Sequence, residues 1–269
     1  MGEFAIERSE HADLLTDRYA LRCERAVGMG QRWNMSAAVW SAPAGFDTPN
    51  KEDDLPHHIL TYRLQGPPVR GRRYGGVIHQ DSMEADSVSI VPERMPVHYW
   101  ADGPVRFIHL YFSNALIRTL ARECYGGAGD RPDLLRDDRV FGNDPLLRRL
   151  SDAYLDRAFD WRDPPSTLEM DSRALVLGLR LLQRHSTLTL PEPAAADSRL
   201  APHLAESVRE YLDTCLDRDP SLAELARSTG IPEVNLSRAF TASTGMPPWL
   251  WLTKRRIERA RSLLSDPRL

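Results

Sequence analysis

The sequence of 269 residues is poor in cysteine and has no long apolar run. Its three cysteines, Cys23, Cys124 and Cys215, form no Cys-x-x-Cys pair, which argues against a disulfide framework and against a structural zinc site. The first residues lack both the basic and the apolar region of a secretory signal, and they lack the serine or threonine that N-myristoylation requires. The longest aliphatic stretch, residues 175–182, is short and contains an arginine. We therefore expect a cytoplasmic protein with no membrane partner.

Lysine is also scarce, since only Lys51 and Lys254 stand among 35 basic residues, and this preference for arginine indicates a bacterial source. The net charge of −3 does not favour a nucleic-acid partner, but the charge is unevenly distributed. Seven basic and two acidic residues lie between Arg227 and Arg261, a local charge of +5, so the rest of the chain carries −8. Attraction to phosphate would act in this basic part of the chain.

Short segments rich in β-branched and aromatic residues occupy the chain to about residue 112. Examples are residues 58–64, 87–91 and 105–112, and turn residues separate them. Several short strands at this spacing predict a sandwich or a small barrel instead of β-α-β units.

Helical periodicity replaces this pattern over residues 114–125, 145–159 and 167–185. The leucine stripes of these helices have two interpretations: they pack on the strands of their own chain, or the aliphatic face of residues 175–182 forms the seam of a dimer. Residues 187–202 then predict a semi-rigid linker, because 187–198 contain two prolines and several small residues.

Residues 221–243 predict a helix-turn-helix. Ser221 and Glu224 fit a capping box that opens a short helix, and Gly230 can adopt the left-handed conformation where that helix stops. A second helix follows over about 233–243. In a helix-turn-helix this second helix enters the major groove, and its early residues touch base edges. An ordinary helical hairpin within a bundle is the alternative interpretation.

Candidate DNA-binding residues lie on the second predicted helix and on the helix after it. Arg238 suits a bidentate contact to guanine. Asn235 and Ser237 can bond base edges or phosphate, and Val234 can meet a thymine methyl group. The predicted DNA-binding residues are Val234, Asn235, Ser237, Arg238, Thr241, Lys254 and Arg255.

Residues 221–264 resemble the first DNA-binding module of the AraC/XylS family of bacterial transcription regulators. The matching features are the Leu-Ala pair after Ser221, Gly230, residues 236–240, 244–245, Pro248, Arg256, Ile257, Ala260 and the leucines at 263–264. In that family the helix after Pro248 connects two helix-turn-helix units, so the resemblance implies that the second unit is absent here. It also implies double-stranded promoter DNA, a small-molecule effector, a second copy of the chain and RNA polymerase as partners.

Two positions depart from the family pattern. Pro232 stands where the family usually has a serine that caps the recognition helix, and losing such a cap costs about 1 kcal/mol. Glu233 places a negative charge beside the expected DNA face.

The segment from Pro92 through His98 and Gly103 to the aromatic strand at 105–112 resembles the cupin-like effector domain that precedes many such regulators. The resemblance implies a small β-barrel with a pocket at its mouth. The candidate effector-binding residues are Tyr62, His98, Trp100, His109 and Tyr111.

A cupin-type metal-dependent enzyme is the rival hypothesis. The His-x-His pair of such enzymes is missing, and His57 and His58 are adjacent on a predicted strand, so their side chains point to opposite faces. We therefore predict no metal, no cofactor and no catalytic residue.

The predicted fold class is α+β, with a cupin-like β-barrel and associated helices followed by an all-α helix-turn-helix domain. Residues 1–186 form the predicted effector-binding and dimerisation domain, 187–202 the linker, and 203–269 the DNA-binding domain with its first helix-turn-helix and connector helix only. The predicted function is sequence-specific transcription regulation in response to a small organic effector. An effector-binding protein with a truncated, non-competent DNA-binding domain is a further alternative.

Overall fold

The computed structural model describes residues 21–28, 35–48, 57–73, 80–82, 87–92, 97–125, 142–188 and 199–264. Most of the predicted linker, residues 189–198, lies outside the described residues, as does the end of the chain from residue 265. No helix in the described ranges has the length and apolar character needed to cross a membrane.

The described residues form ten strands in two antiparallel sheets. The strands are β1 (Arg22–Val27), β2 (Met35–Ala42), β3 (Phe46–Thr48), β4 (His57–Gln65), β5 (Arg70–Arg73), β6 (Gln80–Ser82), β7 (Ser87–Val91), β8 (Val97–Ala101), β9 (Val105–Ser113) and β10 (Gly142–Asn143). The larger sheet has the order β1-β2-β9-β4-β7-β10, and the smaller has the order β3-β8-β5-β6. The α+β class is confirmed, but over the described ranges the strands form two sheets instead of the closed barrel that the resemblance implied.

The larger sheet is covered on both faces. Phe107 and Tyr111 of β9 face the smaller sheet, whereas Ile108, Leu110 and Phe112 face the helices. Successive side chains of a strand alternate between faces, so a strand that is buried on both sides is apolar almost throughout.

Seven helices follow within the described residues. They are α1 (Asn114–Tyr125), α2 (Pro145–Ala158), α3 (Thr167–His185), α4 (Pro202–Asp213), α5 (Leu222–Thr229), α6 (Glu233–Thr244) and α7 (Pro248–Leu264). The first three agree with the predicted spans to within one residue. Local caps explain this agreement for α2 and α3, since the side chains of Asp144 and Ser166 accept hydrogen bonds from backbone N–H groups of the first turns.

The aliphatic face of α3 packs on its own chain. Leu175 and Leu182 are buried in the cluster that joins the larger sheet to the helices. At Gly178 a β-carbon would lie 2.5 Å from the Leu120 side chain of α1, so the absence of a side chain allows the two helices to approach closely. Residues of the same chain thus cover Leu175 and Leu182, which favours the interpretation that the stripe packs on its own chain. A dimer seam at this helix stays a prediction.

The carboxyl-terminal helices pack against α1 and α3. Their buried residues, among them Val208, Leu225, Phe240 and Leu252, belong to the same continuous apolar cluster as the helix-facing side of the larger sheet. The two predicted domains thus share packing, and their boundary stays a prediction.

Candidate nucleic-acid interface and effector site

The predicted helix-turn-helix is present in helices α5 and α6. The Ser221 side chain accepts a hydrogen bond from the Glu224 N–H group, and the Glu224 carboxylate accepts one from the Ser221 N–H group at 2.8 Å, which completes the capping box. Gly230 then takes φ 69° and ψ 13°, the left-handed conformation that the turn requires.

Helix α6 is held in place by apolar residues on its inner side. Leu236 and Phe240 are one turn apart and are fully buried. The Phe240 ring meets the edge of the Trp251 ring with 6.1 Å between centroids. Trp251 of α7 therefore packs against the inner side of α6.

The outer side of α6 presents Asn235 and Arg238, which are both exposed. Ser237 and Thr241 are partly buried, and the Thr241 hydroxyl donates to the Ser237 carbonyl at 2.7 Å. Of the predicted base-reading residues, Asn235 and Arg238 are thus the two with full access to a ligand in this arrangement.

Val234 lies elsewhere than predicted. Its side chain is only 3% exposed and belongs to the apolar cluster. Its backbone N–H group donates to Oε2 of Glu123 on α1 at 3.1 Å. The predicted contact of Val234 with a thymine methyl group is not available in this arrangement, because α1 covers the first turn of α6.

Glu233 is at the same contact, and its side chain is half-buried. Burial, and to a smaller extent the carboxylates of Glu123 and Asp171, raise the pKa of Glu233 to about 7, against the opposing effect of Arg227. The negative charge that the sequence placed beside the DNA face therefore lies against α1. We call the contact of Glu123 with Glu233 and Val234, together with the neighbouring Cys124, the α1–α6 seam.

The basic residues of α7 divide into two groups. Arg255 donates to both carboxylate oxygens of Asp213 on α4, at 2.8 and 3.0 Å, and to Glu258 at 2.8 Å. Arg256 donates to backbone carbonyls that follow α4, including those of Leu216 and Arg218. Lys254 is exposed. A phosphate contact by Arg255 would have to compete with Asp213, whereas Lys254 is accessible.

The five predicted effector-binding residues lie in three separate places. Tyr62 is on the helix-facing side of the larger sheet, where its hydroxyl donates to Asp152 at 2.7 Å and the Arg148 guanidinium lies 3.9 Å from its ring centroid. His98 and Trp100 are on the outer face of the smaller sheet, because their neighbours in β8 pack inward. His98 Nε2 is 2.6 Å from a carboxylate oxygen of Asp47.

His109 and Tyr111 are the two that the structure brings together, between the sheets. His109 Nδ1 is 3.0 Å from the Tyr111 hydroxyl, to which Trp40 Nε1 also donates at 3.1 Å. The His57 ring meets the Tyr111 ring edge-on at 5.1 Å. Burial lowers the pKa of His57 to about 4, with a smaller effect from His58, so its imidazole is neutral near pH 7.

Sequence reasoning missed Trp40 and the polar pair formed by Ser89 and Tyr99, whose hydroxyl oxygens are 2.7 Å apart across the two sheets. The period-two alternation of β8 would have assigned Tyr99, and not His98, to the inner face. Within the described ranges, no three or more histidine, cysteine, aspartate or glutamate side chains cluster in a way that could hold a metal ion.

No protein-family model matches the chain, and no curated protein matches it. Among solved structures, the AraC-like transcriptional activator CuxR is 12% identical with a TM-score of 0.41, over 92% of this chain and 88% of that one. ToxT from Vibrio cholerae is 7% identical with a TM-score of 0.43, over 82% of this chain and 98% of that one. Oxalate decarboxylase from Bacillus subtilis is 11% identical with a TM-score of 0.26, over 31% of this chain and 22% of that one. These similarities are too distant to assign a function.

Proposed function

We propose that this protein is a sequence-specific DNA-binding transcription regulator in which α6 is the recognition helix. One observation carries the proposal: α5, the left-handed Gly230 and α6 form a helix-turn-helix whose second helix exposes Asn235 and Arg238. An asparagine suits the adenine edge and an arginine suits the guanine edge in the major groove. The sequence resemblance to the AraC/XylS family points to the same function.

Phosphate contacts would come from the exposed basic residues around this unit. Arg227 at the end of α5 and Lys254 and Arg259 on α7 are exposed. Their attraction to phosphate would make DNA binding fall steeply as salt rises.

We place the effector site between the two sheets, around His57, His109 and Tyr111. Hydrogen-bonding groups lie there among the rings of Trp40 and Phe107. A few polar groups set in an aromatic surrounding favour a small organic ligand. A second copy of the chain, RNA polymerase and a cytoplasmic location stay predictions.

The test is a selection from a randomised DNA pool with the wild type and the Arg238→Ala variant. Loss of a bidentate base contact should remove the preference at one position, which corresponds to about 1–3 kcal/mol of discrimination. The matched control is Arg259→Ala on α7, which should weaken binding to all sequences alike. An unchanged preference in Arg238→Ala would show that α6 does not read the bases, and no binding by the wild type would favour a non-competent domain.

A further inference from the structure

We propose that the ligand of the effector site is a small carboxylic acid with a ring-sized apolar body, and that Arg63 near the end of β4 binds its carboxylate. This inference rests on the proposed function, because it names the ligand class for the site placed between the two sheets. The body of the ligand would lie along Phe107 towards His109.

Arg63 lies on the side of the larger sheet that faces the smaller sheet. Its neighbour Tyr62 faces the helices, whereas Ile59 is buried in the cluster between the sheets. Successive side chains of a strand alternate between faces, so Arg63 is on the same side as Ile59. Arg63 pairs with Phe107 of β9, two residues before His109. It is therefore a diagonal neighbour of His109, at a separation that a long side chain can span.

The Arg63 guanidinium has hydrogen-bonding capacity that the described residues do not use. Its Nη1 atom donates to the carbonyl of Gly66, just beyond the end of β4. Its Nε atom is buried without an acceptor, and Arg63 forms no ion pair with any described residue. A buried donor of a cation that lacks an acceptor costs free energy, which an anionic ligand would recover.

Other arginines of this chain show what the Nε edge of a guanidinium binds. Four of them donate from Nε and Nη2 to the two oxygens of one carboxylate, at distances between 2.7 and 3.1 Å: Arg106, Arg157, Arg180 and Arg255. Two parallel donors match the planar shape of a carboxylate. Arg209 also has a buried Nε atom without an acceptor, but its guanidinium is paired with Glu206 at 3.1 Å. Arg63 presents the same edge with no carboxylate from the described residues.

The surroundings of Arg63 suit an apolar body of about one ring. The ring centroids of Phe46 and Phe107 are 5.6 Å apart, and those of Phe107 and His109 are 5.1 Å apart. Arg63 and His109 are partly exposed, whereas Phe107 is buried. Two residues along a strand span about 6.6 Å, which is comparable with the length of a benzene ring that carries a carboxylate.

Polar groups stand at the far end of this path. His109 Nδ1 and the Tyr111 hydroxyl are 3.0 Å apart. An imidazole and a phenol can each donate or accept a hydrogen bond. A hydroxyl group opposite the carboxylate of the ligand would therefore find partners there, so 4-hydroxybenzoate should bind more tightly than benzoate.

The experiment measures the binding of benzoate, 4-hydroxybenzoate and benzamide to the full chain by saturation-transfer NMR titration. Benzamide has the ring of benzoate without its charge. We expect the wild type to bind benzoate at least about tenfold more tightly than benzamide, because hydrogen bonds to a charged group are lost with the amide.

Two variants assign this preference to Arg63. Arg63→Met keeps the apolar stem and removes the guanidinium, so it should bind benzoate at least about tenfold more weakly and lose the preference over benzamide. Arg63→Lys keeps the charge without the two-donor edge and should lie between Arg63→Met and the wild type. Arg209→Met on α4 is the matched control and should bind all three compounds as the wild type does.

The outcomes separate this inference from the proposed function, because these measurements need no DNA. Equal affinity of the wild type for benzoate and benzamide, binding of neither acid, or an unchanged preference in Arg63→Met would overturn the carboxylate site and leave DNA binding standing. If benzoate binds through Arg63 but the wild type selects no DNA sequence, the ligand class stands and the proposed function fails. If neither Arg63 variant folds, as judged by circular dichroism, the comparison of benzoate with benzamide in the wild type decides.

Discussion

Replacing Glu233 with glutamine should change how the stability of the protein depends on pH. Glu233 is half-buried at the start of α6, where burial and the carboxylates of Glu123 and Asp171 raise its pKa from an ordinary 4.5 to about 7. A raised pKa means that the folded protein binds this proton more tightly than the unfolded chain does. The wild type should therefore lose stability as pH rises from about 4.5 through about 7.

The size of this effect follows from the difference between the two pKa values. The interval from 4.5 to about 7 sets a ceiling of about 3 kcal/mol. Solvent reaches part of the side chain, and its screening reduces the expected effect to about 1–2 kcal/mol. Glutamine resembles the protonated carboxyl and does not titrate. Glu233→Gln should thus match the wild type at about pH 5 and exceed its stability by about 1–2 kcal/mol at about pH 8.5.

The assay is urea unfolding followed by circular dichroism at about pH 5, 6.5 and 8.5. Glu206→Gln, at an exposed glutamate of α4, is the control and should follow the wild type at every pH. A constant difference between Glu233→Gln and the wild type would refute the reasoning, because it would show that Glu233 titrates alike in the folded and unfolded chains.

Two further predictions concern stability. Gly230→Ala should lower the free energy of unfolding by about 1 kcal/mol in thermal melts, because Gly230 has φ 69°. No atom lies within 4 Å of the added β-carbon, so the cost is that of the backbone conformation alone. An unchanged melting temperature would contradict this prediction. Asp144→Ala should lower the free energy of unfolding in urea by about 3–5 kcal/mol. The buried carboxylate of Asp144 accepts two hydrogen bonds from Arg180 at 2.9 Å, lies 3.0 Å from His185 Nε2 and caps α2. A loss below about 1 kcal/mol would mean that this network contributes little to stability.

The effector residues show where sequence reasoning stopped. His109 and Tyr111 are two residues apart on one strand, so period-two alternation predicts that they share a face, and the structure brings them together. Tyr62 and His98 do not lie at the site of His109 and Tyr111. Predicting this would have required knowing which face of each strand the helices or the second sheet cover. That coverage is a property of the whole fold, because residues of β4, β8 and β9 face a common space only after the two sheets have packed.

The sequence by itself determined the features whose partners lie within one helical turn. The capping box of Ser221 and Glu224 and the stop at Gly230 use only neighbouring residues, so spacing and residue type were sufficient to predict them. The ends of α1 and α3 were also read correctly from periodicity.

Only the tertiary structure decided which surfaces are free. Glu123 and Val234 are 111 residues apart and have no shared local signal, yet their hydrogen bond sets the position of the first turn of α6. Arg255 was likewise predicted to bind DNA, but its guanidinium donates to the carboxylate of Asp213, 42 residues away. Caps and ion pairs between distant helices form only once the core brings those helices together, so the accessibility of the side chains of α6 and α7 could not be read from the sequence.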